Sequence, residues 1–410
     1  MVPRATTLGH PSRQAPSGSY SERMVVEPVA APRHADVPAL LDRLRTALAG
    51  GAPVAPHRGD RPPPALPEHD PAALPDDLAV VVGTSGSTGE PKLAMLGAAA
   101  LTASARATHD RLGGPGQWLL ALPPRHVAGV QVLVRSVDAG TTPVAMDLTP
   151  PFSMLRFAEA TARLEPGARH YTALVPTQVL RLLDDPDGAE ALRAFDAVLV
   201  GGAATPPALR RKAASARVGV VATYGTSETA GGCVYDGHPL DGSAVRLEDD
   251  GRVVLGGPTL AHGYLGRPDL TPQVFVTGPD GSRWFRTDDV GHLDDDGRLH
   301  VDGRRDDVVV TGGLKVAPRV VEEAVLDRLP GARDAVVVGL PDPEWGQAVG
   351  LFVVLDDGLP APSVADVRAA LRGAVPDHAL PRLVLSGDAV PLRGPGKPNR
   401  RAVSDRFDVE

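Results

Sequence analysis

Five short segments carry residue types that could do chemistry, each modest by itself. The first is Thr84-Ser-Gly-Ser-Thr-Gly-Glu-Pro-Lys92, reached from the apolar run Val80-Val-Val-Gly. Its glycines let backbone N–H groups turn toward an anion and its hydroxyls add donors, which suits a polyphosphate. It is not a Walker loop, because no Gly-Lys-Ser/Thr follows at the required spacing. The second, Tyr224-Gly-Thr-Ser-Glu228, offers one carboxylate; a hard cation bridging phosphates needs no more than that plus waters. The third is Trp284-Phe-Arg-Thr-Asp-Asp289. The fourth is Gly303-Arg-Arg-Asp306, followed after six intervening residues by Gly313. The fifth, Pro391-Leu-Arg-Gly-Pro-Gly-Lys397-Pro-Asn-Arg400, reads by itself as a plain basic tail.

Lysine usage singles out the same segments. Of 42 Lys and Arg residues only four are lysines: Lys92, Lys212, Lys315 and Lys397. A chain so biased toward Arg keeps Lys where a compact ammonium is needed and a planar guanidinium does not fit. Lys212, inside an Arg-Arg-Lys run, is the exception that needs no such explanation.

Elements to position these segments are legible from the apolar pattern. Short apolar runs at Leu78–Val82, Trp118–Leu122, Ala173–Val175, Ala197–Val200 and Val218–Ala222 read as buried strands. Helices are predicted between them at Val37–Leu48, Gly97–Leu112, Pro151–Leu164, Thr177–Leu183 and Pro206–Ala216. From about residue 250 the texture changes to strands at Arg252–Leu255, Trp284–Thr287 and Leu299–Val301. The Asp-Gly pairs at 250–251, 280–281 and 296–297 predict tight turns there. A smaller unit follows, with strands at Val308–Thr311, Ala335–Leu340 and Leu351–Leu355. Its helices are Pro318–Leu329 and one opened by Ser363 with Asp366 as a capping-box-like partner. The expected fold is α/β: a poorly ordered tail over 1–35, a large layered α/β domain over 36–305, and a small α+β domain over 306–410.

Composition narrows the function classes. A chain of 410 residues with 42% apolar and 22% charged residues is an ordinary globular protein. Its net charge of −8 argues against general nucleic-acid binding, which uses a basic surface. No apolar run approaches the ~20 residues of a membrane span, and the N-terminal stretch lacks the apolar core of a signal peptide. A cytoplasmic enzyme is expected. The single cysteine, Cys233, excludes a disulfide framework and reads as a small buried residue.

The run Thr-Ser-Gly-Ser-Thr-Gly-x-Pro-Lys resembles the phosphate loop of the adenylate-forming superfamily, which holds acyl-CoA synthetases, peptide-synthetase adenylation domains and luciferases. The other four segments resemble that family's motifs in the same order, over residues 75–405. The resemblance implies that Thr84, Ser85, Gly86, Ser87, Thr88, Gly89 and Lys92 handle the phosphates of ATP. It implies that Gly202 and Ala203 form the adenine-pocket turn with Tyr224 and Gly225, and that Glu228 holds Mg²⁺. Asp289 would bind the ribose, although the family has Gly where this chain has Asp288. Arg304 would reach the nucleotide, Asp306 would be the hinge, and the Gly313 loop would line a CoA tunnel. Lys397 would bridge the α-phosphate and the attacking carboxylate, making Lys397, Glu228 and Thr84 the catalytic set.

The implied reaction couples a small carboxylic acid, ATP and CoA through an acyl-adenylate, with rotation of the small domain between two half-reactions. The short layout, together with His170-Tyr-Thr-Ala-Leu-Val-Pro-Thr-Gln178 and the run from Thr229 to Gly237, resembles the compact o-succinylbenzoate–CoA ligases of menaquinone synthesis. That acid has a second carboxylate, for which His170 is the candidate partner. His126, Ser227 and Gly231 are the other acyl-site candidates. A CoA ligase for another aryl or short acyl acid, a stand-alone domain loading a carrier protein and a degenerate nucleotide-binding regulator are the alternatives. Intact Lys397, Glu228 and Asp289 argue against the regulator. A homodimer stays open.

Overall fold

The computed structural model describes residues 25–31, 34–59, 66–84, 92–149, 151–392 and 398–407. Most of the N-terminal tail, residues 85–91 of the phosphate loop and residues 393–397, Lys397 among them, lie outside the described set.

The body is built on a seven-stranded sheet and a five-stranded sheet. In the larger sheet, His170–Leu174 lies parallel between Gln117–Leu120 and Ala197–Val200, and Val220–Thr226 pairs parallel to the last of these. Strands covered on both faces read as near-continuous apolar runs, which is how they appear in the sequence. Alternate residues serve two different cores. Trp118, Leu120 and Tyr171 join a core shared with Val80, Val82 and Leu96 of the five-stranded sheet. Leu119, Leu174, Val198 and Val200 pack on the other face against Phe157, Leu182 and Leu209.

Three helices fill the space served by the first core: Val37–Leu48, Ala98–Leu112 and Val127–Ala139. The last of these is absent from the sequence expectations, and its residues from Gly129 to Ser136 are all buried. A helix wrapped on every side shows no polar face, so its period is hidden. Among the expected elements the ends shift: the Pro151–Leu164 prediction is the shorter helix Met154–Thr161, and Pro318–Leu329 is Pro318–Arg328. Among the elements not expected, Glu27–Ala30, inside the stretch read as a poorly ordered tail, pairs in parallel with Val54–His57 as a strand of the five-stranded sheet, and Pro186–Arg193 forms a helix.

Beyond residue 240 the chain forms a third, antiparallel sheet. Gly251, Gly281 and Gly297 turn its hairpins at φ near +80°, the left-handed region that the Asp-Gly pairs anticipate. The strand expected at Trp284–Thr287 is longer, Arg283–Leu293, with an irregularity at Val290/Gly291 that bends it past the Asp288–Asp289 pair. The last unit has its own sheet, in which Ala332–Asp342 and Gly346–Leu355 form the longest hairpin, and its main core draws only on residues from Val309 onward. No helix among the described residues is long and apolar enough to cross a membrane.

Candidate active site

A cleft of about 1670 Å³ opens along the carboxyl ends of the parallel strands and continues between the body and the small unit. This is where open α/β sheets bind ligands, because strand ends and helix starts leave room and unpaired backbone groups there. The cleft brings together Thr84, Lys92, His126, Gly202, Ala203, Tyr224, Gly225, Ser227, Glu228, Gly231, Asp289, Arg304 and Asp306.

The phosphate loop is closed at its base: Thr84 N–H donates to the Lys92 carbonyl at 2.7 Å, just beyond the antiparallel pair Leu78–Gly83 and Leu93–Gly97. Ser227 Oγ donates to the Gly83 carbonyl at 3.4 Å, tying that base to the turn that carries Glu228. This turn is a short 3₁₀ element after strand Val220–Thr226, closed by reciprocal hydrogen bonds between Thr226 and Thr229. Gly225 is required where the chain doubles back, since a Cβ there would strike the Gly231 carbonyl oxygen.

Glu228 is buried, and its Oε1 accepts the Tyr264 hydroxyl at 2.8 Å. Burial first, and then the neighbouring carboxylate, raise the Tyr264 pKa, so the phenol remains a donor. Lys92 Nζ lies 5.4 Å from the same ring's centroid. Among the described residues no cluster of three or more His, Cys, Asp or Glu side chains could cage a metal. One buried carboxylate with an oxygen that no described residue bonds suits Mg²⁺, which keeps several waters and arrives on nucleotide phosphates.

The ribose candidate is equally well built. Tyr224 donates from its hydroxyl to Asp289 Oδ2 at 2.8 Å, and Asp289 N–H donates to Thr287 Oγ1 at 3.0 Å. Burial and Asp289 both push the Tyr224 pKa well up. Asp288, the departure from the family's Gly, accepts from Arg252 at 3.3 Å and from Arg304 at 3.2 Å. The extra carboxylate therefore holds the arginine two residues before the hinge candidate Asp306. Arg305 pairs with Asp250 at 3.6 Å, and on the other side of Asp306 the Asp307 carboxylate accepts from Arg400 at 3.0 Å. Arg400 also bonds Glu322 and donates to the Val337 carbonyl at 2.7 Å.

Two candidates lie apart from the cleft. His170 stands at the amino end of its strand, with Nδ1 3.2 Å from the Ala194 carbonyl and Nε2 2.8 Å from the Glu165 carbonyl. The cleft meets that strand at its other end, at Ala173–Thr177. Gly313 is in the exposed turn between Val309–Thr311 and Leu314–Val316, outside the cleft in this domain arrangement. Lys397 lies outside the described residues; the segment's flanks, Leu392 and Pro398, pair with each other at the cleft's edge.

The sequence reading missed the residue most unusual in its chemistry. Arg135, on the Val127–Ala139 helix, lines the cleft at 3% exposure. Its guanidinium sits 4.9 Å over the Trp118 ring and donates to the Tyr235 hydroxyl at 3.3 Å. Burial lowers its pKa, yet an Arg remains protonated in proteins. No carboxylate among the described residues comes within ion-pair distance, and its Nε has no partner among them. Gln131, one turn earlier on the same face, donates to the Ala230 carbonyl at 2.8 Å and so links this wall to the Glu228 turn. The available signal was a Gln and an Arg spaced i, i+4 inside an otherwise apolar run.

The fold and this site define the class. The model of the AMP-binding enzyme family matches residues 27–265, and that of the AMP-binding enzyme C-terminal domain matches residues 322–397. The chain belongs to the AMP-binding enzyme family. It is 48% identical over 337 residues to the probable 2-succinylbenzoate–CoA ligase of Mycobacterium tuberculosis, covering 82% of this chain and 86% of that one. It is similar in structure to the o-succinylbenzoate CoA synthetase of Bacillus subtilis in complex with its acyl-adenylate intermediate. That match has a TM-score of 0.68 and 26% identity over 80% of this chain and 69% of the other. ATP-bound MatB of Rhodopseudomonas palustris gives a TM-score of 0.70 and 26% identity over 81% and 68%.

Proposed function

We propose that this enzyme is an AMP-forming acid–CoA ligase that converts 2-succinylbenzoate, ATP and CoA to the acyl-CoA, AMP and diphosphate. The observation that carries the choice of acid is the buried Arg135 on the cleft wall, which pairs with no carboxylate among the described residues. A lone buried cation is costly unless a ligand brings the opposite charge, and an acid with two carboxylates can fill both ends of the cleft. One carboxylate lies toward the phosphate loop and the other meets Arg135. This assigns to Arg135 the part expected of His170, whose ring faces two carbonyls elsewhere.

In the first half-reaction a substrate carboxylate oxygen attacks the α-phosphorus and diphosphate leaves. Asp289, held by Tyr224, orients the ribose, and Lys92 with the loop over 84–92 binds the departing phosphates. Mg²⁺, when bound at Glu228, neutralises part of the phosphate charge. Lys397 meets the carboxylate and α-phosphate where charge crowds in the transition state. Rotation about Asp306 then replaces Lys397 by the Gly313 turn, and the CoA thiolate displaces AMP. Because both co-substrates are cytoplasmic metabolites, so is the setting proposed for the enzyme.

Diphosphate release with a panel of acids, with and without CoA, tests the reading. We expect turnover with 2-succinylbenzoate that needs CoA; turnover only with a carrier protein would overturn it. Arg135→Met should raise the KM for 2-succinylbenzoate by about 10²-fold, the scale of removing one partner of a buried charge pair. 4-Oxo-4-phenylbutyrate, the same skeleton without its ring carboxylate, should be nearly unaffected.

A further inference from the structure

Arg135 is held by a chain of hydrogen bonds whose proton positions are all determined. Thr108 Oγ1 donates to the Ser104 carbonyl at 2.8 Å, so in its 2.9 Å contact with Tyr235 it is the acceptor. The Tyr235 proton therefore points to Thr108, which leaves the phenol oxygen free to accept from Arg135. On the other side, the fully buried Trp118 lies under the guanidinium, and its indole N–H donates to His109 Nε2 at 3.3 Å. That nitrogen cannot carry a proton. The ring proton is on Nδ1, facing Asp138 Oδ2 at 3.2 Å, while the second carboxylate oxygen accepts from Arg106 at 3.2 Å.

We infer that His109 and Asp138 are positioning residues for the acid site: Asp138 fixes the tautomer that lets His109 hold the Trp118 indole as the platform for Arg135. The inference rests on the reading of Arg135 as the partner of a second carboxylate. Three observations support the dyad beyond that. His109 is 4% exposed inside the core, with both ring nitrogens committed to side chains of different elements. Burial first, and the Arg135 charge as well, lower its pKa against the opposing pull of Asp138, consistent with a neutral acceptor. Tyr171 closes the Trp118 platform from a third strand, its ring centroid 5.1 Å away. A wrong tautomer would set two donors against each other at Trp118, displacing the ring and with it the guanidinium.

The experiment measures KM and kcat in the purified full-length enzyme for 2-succinylbenzoate and for 4-oxo-4-phenylbutyrate. The variants are Asp138→Asn, His109→Phe, His109→Gln and Arg135→Met. Asparagine presents an N–H to Nδ1 and favours the wrong tautomer, and phenylalanine offers no acceptor. Each should raise the KM for the dicarboxylate about tenfold, near the loss of a desolvated cation–π contact. The kcat should stay within about twofold and the monocarboxylate should be unaffected. Glutamine can accept from Trp118 and donate to Asp138, and should restore near-normal KM. Equal losses on both acids, or losses confined to kcat, would reduce the dyad to a structural role and overturn the inference. If Arg135→Met discriminates between the acids while the dyad variants do not, only the dyad assignment fails. If Arg135→Met itself does not discriminate, the reading of Arg135 fails. Should His109→Phe not fold, Asp138→Asn and His109→Gln, which leave no cavity, still decide.

Discussion

The two sides of the cleft are built in opposite ways. The wall on the body is buried and cross-braced: Tyr224 on Asp289, Tyr264 on Glu228, Gln131 on Ala230, and Trp118 under Arg135. Each of these contacts joins different elements or sheets, so the binding geometry exists before a ligand arrives. The small unit faces the same cleft with charges at its rim. Arg333 pairs with Asp184 of the body at 3.8 Å, and Arg211 of the body pairs with Asp327 at 2.7 Å, all four side chains being well exposed. Exposed pairs like these contribute about 0–1 kcal/mol each. Such pairs can be exchanged for other partners, as the proposed rotation of the unit requires. In the proposed mechanism recognition belongs to the braced side, and the change of chemistry between half-reactions belongs to the side held by exchangeable charges.

The strongest challenge to this division is Lys397→Ala. If the small unit delivers the charge that adenylation needs, the variant should lose about 10²–10³ in diphosphate release, the scale of one electrostatic stabiliser. Thioester formation from pre-formed acyl-adenylate and CoA should be spared. Single-turnover assays of each half-reaction measure the two separately, and equal losses in both would erase the distinction between the sides.

A second effect is one of stability and pH. Asp334, on the small unit's face of the cleft, has its pKa raised to about 6, chiefly by burial and then by the nearby Glu322 charge, against the backbone N–H of Ala335. A folded-state pKa above the unfolded value of roughly 3.9 means that the folded chain binds the proton more tightly. The favourable contribution is complete below about pH 4 and is lost as pH rises through about 6. Asp334→Asn should therefore stabilise the protein by about 1–2 kcal/mol at pH 8 and by almost nothing at pH 4. Urea unfolding at the two pH values measures this. A gain of the same size at both would show that the carboxylate's charge is not the cause.

How much of this was legible in the sequence follows the same division. The nucleotide segments are contiguous runs at strand ends, so Thr84–Lys92, Tyr224–Glu228 and the Asp289 and Arg304 segments could be read one by one, and the cleft gathers Thr84, Lys92, Tyr224, Glu228, Asp289 and Arg304 from them. The acid wall is assembled from positions distant in sequence. Arg135 meets Trp118 and Tyr235 only because a helix buried from Gly129 to Ser136 crosses the sheet, and there the polar residues face protein as the apolar ones do. His170 was a candidate because its stretch resembles the o-succinylbenzoate–CoA ligases and a second carboxylate calls for a cationic or hydrogen-bonding partner. The rule that ligands gather at the carboxyl ends of parallel strands separates it from the site once strand direction is known. Asp288 could be seen to depart from the family's pattern, but its reason appeared only when Arg252 and Arg304 were found on either side of it.

That departure gives the smallest and sharpest test of the comparison. Asp288 belongs to the braced side, yet it holds Arg304 at the entrance to the proposed hinge, two residues before Asp306. Its side chain is 47% exposed and Arg304's is 36%, so the pair lies in the screened regime of about 0–1 kcal/mol. Asp288→Gly should leave overall stability within about 0.5 kcal/mol, as surface changes usually do. It should change the ratio of adenylation to thioesterification rates by no more than about fivefold, because one tether on the hinge is released while Arg305–Asp250 remains. The difference between variant and parent should shrink as salt is raised from about 0.01 to 0.5 M, since screening weakens the tether in the parent. A shift that persists at high salt would place the effect of Asp288 in backbone geometry at the bend after Thr287. The hinge would then be set by the shape of the braced side and not by an exchangeable charge.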